Sequence, residues 1–460
     1  MEQDNICALA TASGVGAISV LRVSGPDAID ICSSIFESKQ SEKQLTLEKS
    51  HTIHLGYIVN GNQMIDEVLV SIFKGPSSYT GENTIEISCH GSIYIQQQIL
   101  QLLIHNGCRM ARAGEFTFRA FMNGKMDLSQ AEAVADLISS SNEKSHQLAL
   151  SQMRGGFSSE INSLRKKLIK FTSLIELELD FSSEDVEFAN RNDLSNLIDE
   201  LKLVLRKLID SFALGNVLKN GIPVAIVGEP NVGKSTLLNT LLNDDRAIVS
   251  EIAGTTRDTV EDELIIDGTS FRFIDTAGIR ATEEKIERIG IKKTYQKIAE
   301  AKVVLYLFDS LSSSPTIVKK ELSKLQKHTE YKHLIVLANK VDGGDLSRIK
   351  MEFDFLPQIL FISAKSNIGV EALKSMLIKK VMNGMLSNND LMVSNTRHYE
   401  ALSNSLNHVS RVQEGMIANI SGDLLAMDLR QALYHLGQIT GEITTDDLLD
   451  SIFNDFCIGK

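Results

Sequence analysis

A glycine-rich segment near the middle of the chain has the residue types and spacing of a phosphate-binding loop. Residues 228–236 read Gly-Glu-Pro-Asn-Val-Gly-Lys-Ser-Thr and fit the pattern G-x-x-x-x-G-K-[ST]. In such a loop backbone N–H groups converge on a nucleotide's phosphates, Lys234 reaches the β- and γ-phosphates, and Ser235 offers a hydroxyl to Mg²⁺. The alternative is an ordinary glycine turn between a strand and a helix. The loop therefore needs support from other motifs.

Three further motifs follow in the order expected of a GTPase. Asp-Thr-Ala-Gly at 275–278 places a carboxylate where it can hold Mg²⁺ through water. Asn-Lys-Val-Asp at 339–342 ends in Asp342, which can accept hydrogen bonds from the N1–H and 2-amino groups that guanine has and adenine lacks. Ser-Ala-Lys at 363–365 would pack against the same base. Four motifs, each at the carboxyl end of an apolar strand, predict a P-loop GTPase.

The predicted nucleotide contacts are the residues of these motifs. They are Asn231, Val232, Gly233, Lys234, Ser235, Thr236, Asp275, Thr276, Ala277, Gly278, Asn339, Lys340, Asp342, Ser363, Ala364 and Lys365.

The catalytic groups of this predicted GTPase differ from those of many small GTPases. Ile279 stands where those proteins place a glutamine, and an aliphatic side chain cannot orient the attacking water. Hydrolysis therefore needs another polar group and another positive charge. The amide oxygen of Asn231 suits an alkali cation, together with main-chain carbonyls of the switch I region. Thr256 lies in that region and is a candidate ligand of Mg²⁺ and the γ-phosphate.

Three glutamates after the second motif are candidates for polarising water. They are Glu283, Glu284 and Glu287. The alternative for each is a helix N-terminus, where the dipole favours acidic side chains. These residues alone do not show which of the three glutamates polarises water and which caps a helix.

Composition limits the class of protein. At 460 residues the chain is long enough for about three domains. No apolar run approaches the ~18–20 residues of a membrane span, and the N-terminus lacks the basic start of a secretory signal. The net charge of −12 argues against broad nucleic-acid binding, although a local basic face, for example at 165–167, stays open beside its alternative as a solvated helix face.

The five cysteines are odd in number, widely spaced and without a C-x-x-C pair. The five cysteines as a set are therefore not expected to form disulfides or to bind a metal. This cysteine usage fits a protein of the reducing cytoplasm. They are Cys7, Cys32, Cys89, Cys108 and Cys457.

Hydrophobic patterning divides the chain into segments. Residues 1–118 mix strands with a helix at 93–104, residues 119–215 and 383–460 are helical, and 216–382 alternate strands and helices. The pattern predicts an α/β P-loop GTPase domain inserted into an all-α helical domain, preceded by an α+β N-terminal domain. The predicted strands are 17–23, 53–59, 67–73, 84–89, 224–227, 263–266, 271–274, 303–308, 334–338 and 359–362.

Two local patterns add detail. Asp267-Gly268 is a hairpin turn signal, so strands 263–266 and 271–274 should be antiparallel. Apolar residues at i, i+3 and i+4 between Ile161 and Leu179 predict a helix with a core-facing stripe.

Longer segments resemble the bacterial tRNA-modification GTPase family called MnmE or TrmE, and the likeness covers essentially the whole chain. Thr11-Ala-Ser-Gly14 departs from the family, in which a proline is expected after the threonine. The matching segments are 228–235, 254–258, 275–280, 21–25, 79–82, 113–117, 124–132 and the closing Phe-Cys-Ile-Gly-Lys at 456–460.

For the GTPase, the resemblance implies a homodimer joined through the N-terminal domains. The GTPase domains would approach one another when GTP and K⁺ bind, and K⁺ would take the place of an arginine finger. Glu287 matches the family's water-positioning glutamate. The implied ligands are Asn231 with Ser250, Ile252 and Thr255 for K⁺, and Ser235 with Thr256 for Mg²⁺; Ser250, Thr255 and Thr256 would also border the nucleotide.

The resemblance also implies that the N-terminal domain binds folate, as a 5-formyl-tetrahydrofolate-like one-carbon carrier. Folate's carboxylates call for Lys or Arg, and its pterin edge offers donors to a carboxylate. The matching residues are Arg22, Glu82, Lys125 and Lys460. Cys457 is either a thiol near the one-carbon unit or an apolar anchor.

With an FAD- and NADH-using partner (MnmG, or GidA), in a heterotetramer or larger assembly, the family installs an aminomethyl-type group, or its carboxymethyl form, at C5 of the wobble uridine of certain tRNAs. No membrane is involved. One alternative is an RNA-binding ribosome-assembly GTPase switch, but no G-x-x-G loop of a KH module follows the GTPase segment. A stand-alone folate-dependent transferase would need its own redox site, and no G-x-G-x-x-G fingerprint follows a strand.

Overall fold

The computed structural model describes residues 4–40, 43–180, 191–243, 262–274, 298–328, 333–356, 358–382, 391–454 and 456–459. The chain forms two compact units. The first contains Met1–Ala135, Gln152–Asp199 and Asn404–Lys460, and the second contains Asp136–Ser151 and Glu200–Ser403. Some predicted site residues lie outside the described residues: Ser250, Ile252, Thr255, Thr256, Asp275, Thr276, Ala277, Gly278, Ile279, Glu283, Glu284, Glu287 and Lys460.

The N-terminal part of the first unit is a seven-stranded sheet in the order β3-β4-β5-β6-β2-β1-β7. All neighbouring strands are antiparallel except β1 and β7. The strands are β1 Asn5–Leu9, β2 Ile18–Ser24, β3 Phe36–Ser38, β4 Thr52–Asn60, β5 Gln63–Phe73, β6 Thr84–His90 and β7 Cys108–Met110. The helices here are α1 Ala28–Ser34, α2 Ile93–His105 and α3 Glu115–Met122. The predicted α+β fold is confirmed.

The core of this sheet domain is formed by alternate residues of its strands, which point to the same face. Leu21 and Val23 of β2 are fully buried, as are Ile85 and Ile87 of β6, and Ile99 of α2 packs in the same cluster. The helix at 93–104 is confirmed with one added residue. Short β1, β3 and β7 and helix α1 were not predicted, because three to seven residues carry too little periodicity to detect.

Seven further helices lie among the described residues outside the two sheet domains. They are α4 Leu128–Ser139, α5 Glu143–Met153, α6 Gly156–Asp180, α7 Arg191–Asn220, α12 Thr396–Ile417, α13 Gly422–Thr440 and α14 Asp446–Phe453. The predicted stripe on α6 is core, since Ile161, Leu168 and Ile175 are fully buried. Arg165 is buried and pairs with Glu442, so it does not contribute to an exposed basic face.

The second unit holds a six-stranded sheet in the order β13-β12-β11-β8-β10-β9. Its strands are β8 Ile222–Val227, β9 Asp262–Ile266, β10 Thr269–Phe273, β11 Val303–Asp309, β12 His333–Asn339 and β13 Leu360–Phe361. They are parallel except for the β9–β10 hairpin, whose turn residues Asp267 and Gly268 have φ of 47° and 70°. The predicted hairpin and α/β fold are confirmed.

Helices cover both faces of this sheet. Along β11, Val303, Leu305 and Leu307 enter one core, whereas Val304 and Phe308 enter the other, as expected for a strand buried on both sides. The helices are α8 Lys234–Asn243, α9 Pro315–His328, α10 Leu346–Glu352 and α11 Val370–Met382. Among the described helices, none is both long and apolar enough to cross a bilayer.

Candidate functional site

The glycine-rich loop joins β8 to the start of α8, as the sequence predicts. Lys234 begins α8, and its Nζ donates to the carbonyls of Gly228 at 2.9 Å and Glu229 at 2.7 Å. Asn231 has a φ of 61°, a left-handed conformation that asparagine tolerates better than most residues. The loop therefore carries the Lys234 ammonium and the exposed Asn231 amide three residues apart in the chain.

Asn339 connects the loop to the base-recognition motifs. Its side chain is buried, its Nδ2 donates to the carbonyl of Val232 at 2.8 Å, and its Oδ1 accepts from the N–H of Ala364 at 3.0 Å. Gly233 has a φ of 102°, and a Cβ there would collide with the Asn339 amide. Only glycine allows this approach, so the loop and the two distant motifs form one site.

A cavity of about 380 Å³ opens beside this junction. Its volume is within the range of small-molecule sites. Eight of its ten lining residues were predicted nucleotide contacts; Leu311 and Gly343 were not. The predicted lining residues are Gly233, Thr236, Asn339, Lys340, Asp342, Ser363, Ala364 and Lys365.

Asp342 presents a carboxylate to this cavity. Hydrogen bonding from the hydroxyls of Ser363 and Ser366 lowers the pKa of Asp342. The Ser366 Oγ lies 3.3 Å from Asp342 Oδ2. Asp342 is therefore ionised at neutral pH and can accept from two donors on one edge of a base.

The end of β11 supplies a residue that the sequence analysis missed. Asp309 Oδ2 accepts from Lys340 Nζ at 2.8 Å. Asp309 follows an apolar run at the carboxyl end of a strand, but a single aspartate there has no spacing pattern that would mark it as a site residue.

Of the predicted cation ligands, Asn231 and Ser235 lie among the described residues. Asn231 is within the phosphate-binding loop, and Ser235 is the second residue of α8. Within the described ranges, no group of three or more His, Cys, Asp or Glu side chains could hold a metal ion. A cation at this loop would instead use amide, hydroxyl and carbonyl oxygens, which are hard ligands suited to K⁺ and Mg²⁺.

A second polar site lies in the N-terminal sheet around Arg22. The guanidinium donates to Glu86 from Nε at 2.9 Å and Nη2 at 2.8 Å. It also lies over the rings of Tyr79 and Phe116, 5.3 and 5.6 Å from their centroids. The Arg22 guanidinium thus contacts two aromatic rings and a carboxylate.

Glu82 lies beside this group. It accepts from Ser24 Oγ at 2.8 Å and from Arg119 Nη1 at 3.1 Å. Arg119, which the sequence analysis missed, is buried and also pairs with Asp4 and Glu115. Because Ser24 is two residues from Arg22 on β2, the structure brings the predicted Arg22 and Glu82 together.

Lys125 belongs to the same corner of the unit. Its Nζ donates to the carbonyl of Pro76 at 2.9 Å, and its stem would contact a Cβ placed on Gly81. It therefore lies beside Gly81, the residue that precedes Glu82 in the chain.

The C-terminal tail reaches the N-terminal sheet. Ile458 forms a β-bridge with Ala113, and the N–H of Gly114 donates to the carbonyl of Cys457 at 3.4 Å. Phe456 is buried, whereas Cys457 is exposed. The apolar anchor of the tail is thus Phe456, and the Cys457 thiol faces solvent.

Two family profiles match consecutive parts of the chain. The profile for the GTP-binding protein TrmE N-terminus matches residues 5–125, and that for the MnmE helical domain matches residues 128–457.

Three curated relatives, each named tRNA modification GTPase MnmE, match along their full length. The protein from Flavobacterium psychrophilum is 60% identical over 99% of both chains. The one from Christiangramia forsetii is 58% identical over 99% of both chains. The one from Bacteroides fragilis is 54% identical over 100% of both chains. Full-length identity at this level, with both profiles matched in order, shows that the chain belongs to the MnmE (TrmE) family of tRNA modification GTPases.

Proposed function

We propose that the chain hydrolyses GTP in a K⁺-stimulated, dimerisation-dependent cycle that serves modification of the tRNA wobble uridine. The observation that carries the proposal is the junction at Asn339, which joins a phosphate-binding loop to a carboxylate suited to guanine. The family membership adds the tRNA substrate class, because the relatives are named for tRNA modification.

GTP would bind with its phosphates on the loop 228–236 and its base in the cavity at Asp342. The Lys234 ammonium would neutralise phosphate charge, and the backbone N–H groups of the loop would hold the phosphate oxygens. Ser235 and Thr256 would hold Mg²⁺, which supplies charge neutralisation at the β- and γ-phosphates.

K⁺ would be held by Asn231 together with main-chain oxygens near Ser250, Ile252 and Thr255. Bound there, K⁺ would supply positive charge near the phosphates, the role that an arginine finger has in other GTPases. The exposed Asn231 amide in a left-handed turn of the loop supports this assignment. Closure of two GTPase domains would complete the cage, so turnover would depend on the homodimer.

The N-terminal site would bind a 5-formyl-tetrahydrofolate-like one-carbon carrier, which supplies the carbon of the new substituent. Glu82 would accept from the pterin edge, and Arg22, Lys125 and Lys460 would provide positive charge for the carboxylates. The rings beside Arg22 and the carboxylate held by Arg119 support a site for a flat, polar heterocycle. The exposed Cys457 thiol would lie near the one-carbon unit.

The remaining parts of the proposal concern organisation. We infer domains at 1–118, 119–215, 216–382 and 383–460, the first of which joins two copies of the chain. The chain would act in the cytoplasm, where an FAD-containing partner (MnmG) would provide the redox step in a heterotetramer or larger assembly. GTP hydrolysis would then drive a conformational cycle, since no chemistry couples phosphoryl transfer to the uridine ring.

The proposal is tested by deleting the gene in the source organism and analysing tRNA nucleosides by mass spectrometry. We expect the C5-aminomethyl-type wobble nucleosides to disappear and to return on complementation. Unchanged wobble nucleosides together with a ribosome-assembly defect would favour the assembly-switch alternative instead.

Glu287→Ala should slow GTP hydrolysis roughly tenfold, because one hydrogen bond that orients the attacking water is lost. Binding of GDP should stay within about twofold of the parent, since the residue does not hold the nucleotide. Single-turnover hydrolysis and fluorescent-nucleotide titration measure the two effects. Glu283→Ala and Glu284→Ala are matched controls; a parent-like rate for Glu287→Ala would transfer the role to another group.

A further inference from the structure

The end of β11 contacts the base-recognition motif at three successive residues, Asp309, Ser310 and Leu311, which we call the β11 tip. Within the β11 tip, the Asp309 carboxylate is held by hydrogen bonds. The Asp309 side chain is 13% exposed, its Oδ1 accepts from the N–H of Leu311 at 2.9 Å, and its Oδ2 accepts from Lys340 Nζ at 2.8 Å. One carboxylate therefore binds its own turn and the motif lysine at once.

The other two residues hold the backbone of the motif. The N–H and Oγ of Ser310 donate to the carbonyl of Asn339 at 3.0 and 2.7 Å. Leu311 packs against the turn that follows Lys340 in the chain. A Cβ added to Gly343 of that turn would lie only 2.7 Å from Leu311 Cδ1. The motif is thus fixed on both sides of Lys340 by protein atoms.

Lys340 needs such support more than its neighbours do. Its φ is 66°, which is costly for a residue with a long side chain, and its side chain is 40% exposed. Lys340 and Leu311 both line the cavity, whereas Asp309 does not. The carboxylate can therefore influence a bound base only through the lysine that it holds.

The charge of Asp309 is maintained in this position. Burial raises the pKa of Asp309, but hydrogen bonds from Lys340, the Leu311 N–H and Ser312, together with the charge of Lys340, lower it below its ordinary value. A charge-assisted hydrogen bond of this geometry is stronger than a neutral one.

We propose that Asp309 is a positioning residue for guanine-nucleotide binding, which holds the Lys340 side chain as one wall of the base site. The inference rests on the proposed GTP-binding function. A lysine that is already ordered loses less rotamer entropy when a nucleotide binds, a saving that corresponds to roughly tenfold in affinity. The residue should affect GTP and GDP alike, because both share the base.

A double-mutant cycle on the full-length protein tests the inference, with a fluorescent GDP analogue as probe. Asp309→Asn keeps the volume and an acceptor for the Leu311 N–H but removes the charge. We expect it to raise the Kd for GDP roughly tenfold and to raise KM for GTP, with kcat at saturation within about twofold. In a Lys340→Met background the same substitution should change the Kd by less than about twofold.

Asp345→Asn is the matched control, because Asp345 caps α10 by accepting from the Ser347 N–H and does not contact Lys340. If Asp309→Asn does not fold, Asp309→Ser provides the same cycle. An unchanged Kd in the parent background, or an equal loss in both backgrounds, would overturn the inference. Failure of the parent protein to bind GDP would instead overturn the proposed function.

Discussion

Asp342→Asn is expected to weaken GTP binding on the order of 10²–10³-fold, because two charge-assisted hydrogen bonds to the guanine edge are lost. The carboxylate accepts from both N1–H and the 2-amino group, whereas an amide offers one acceptor and one donor. The amide NH₂ would face the 2-amino group and leave a donor opposite a donor. Titration with fluorescent GDP and GTP measures the loss.

The same substitution should improve binding of xanthine nucleotides. Xanthine keeps N1–H but carries a 2-carbonyl where guanine carries the amino group, which matches the acceptor and donor of Asn. The control is the parent protein, which should prefer GDP over XDP, since its carboxylate would face the 2-carbonyl. If Asp342→Asn bound GDP like the parent and gained nothing for XDP, Asp342 would not read the base.

The nucleotide site was predictable because its chemistry is concentrated in short, contiguous motifs. Eight cavity residues were identified from spacing alone, since each motif ends an apolar strand and parallel strands bring their carboxyl ends to one edge. Asp309 was missed because a single aspartate after a strand carries no spacing pattern. Its role depends on β11 and β12 being adjacent, which only the sheet order reveals.

The N-terminal site was less predictable from residue chemistry. Arg22 and Glu82 are distant in sequence and were singled out by family resemblance, not by a local pattern. Their proximity depends on β2 lying beside β6, with α3 bringing Arg119 against Glu82. Long-range antiparallel pairing of this kind leaves no contiguous signature, so neither the support from Arg119 nor the anchoring by Phe456 could be read in advance.

The two sites differ in how their charges are compensated. Arg22 and Arg119 are paired with carboxylates of the protein, whereas the phosphate-binding loop offers Lys234, an exposed amide and backbone groups. A negatively charged transition state at the loop therefore has one described cation close by. Under the proposed mechanism a bound cation supplies the additional positive charge, so cation identity should control the rate of catalysis.

Replacing K⁺ by Na⁺ at equal ionic strength should lower kcat for GTP on the order of a hundredfold or more, because the charge assigned to this cation is worth 10³–10⁵ in GTPases that use an arginine. Na⁺ is smaller and would not span the oxygen cage that is proposed for K⁺. The Kd for GDP should change by less than about twofold, since the ion acts on the transition state.

Asn231→Gly tests the role of the ion without disturbing the backbone of the loop. Glycine adopts the φ of 61° without strain, so the substitution removes only the side-chain amide. We expect this variant to hydrolyse GTP at the same low rate in K⁺ and in Na⁺, with GDP affinity retained. Initial rates across a series of K⁺ concentrations measure the effect. Equal turnover of the parent in both salts would mean that a side chain, from this chain or from a partner copy, supplies the charge. Full K⁺ stimulation of Asn231→Gly would mean that the K⁺ site does not use the Asn231 amide.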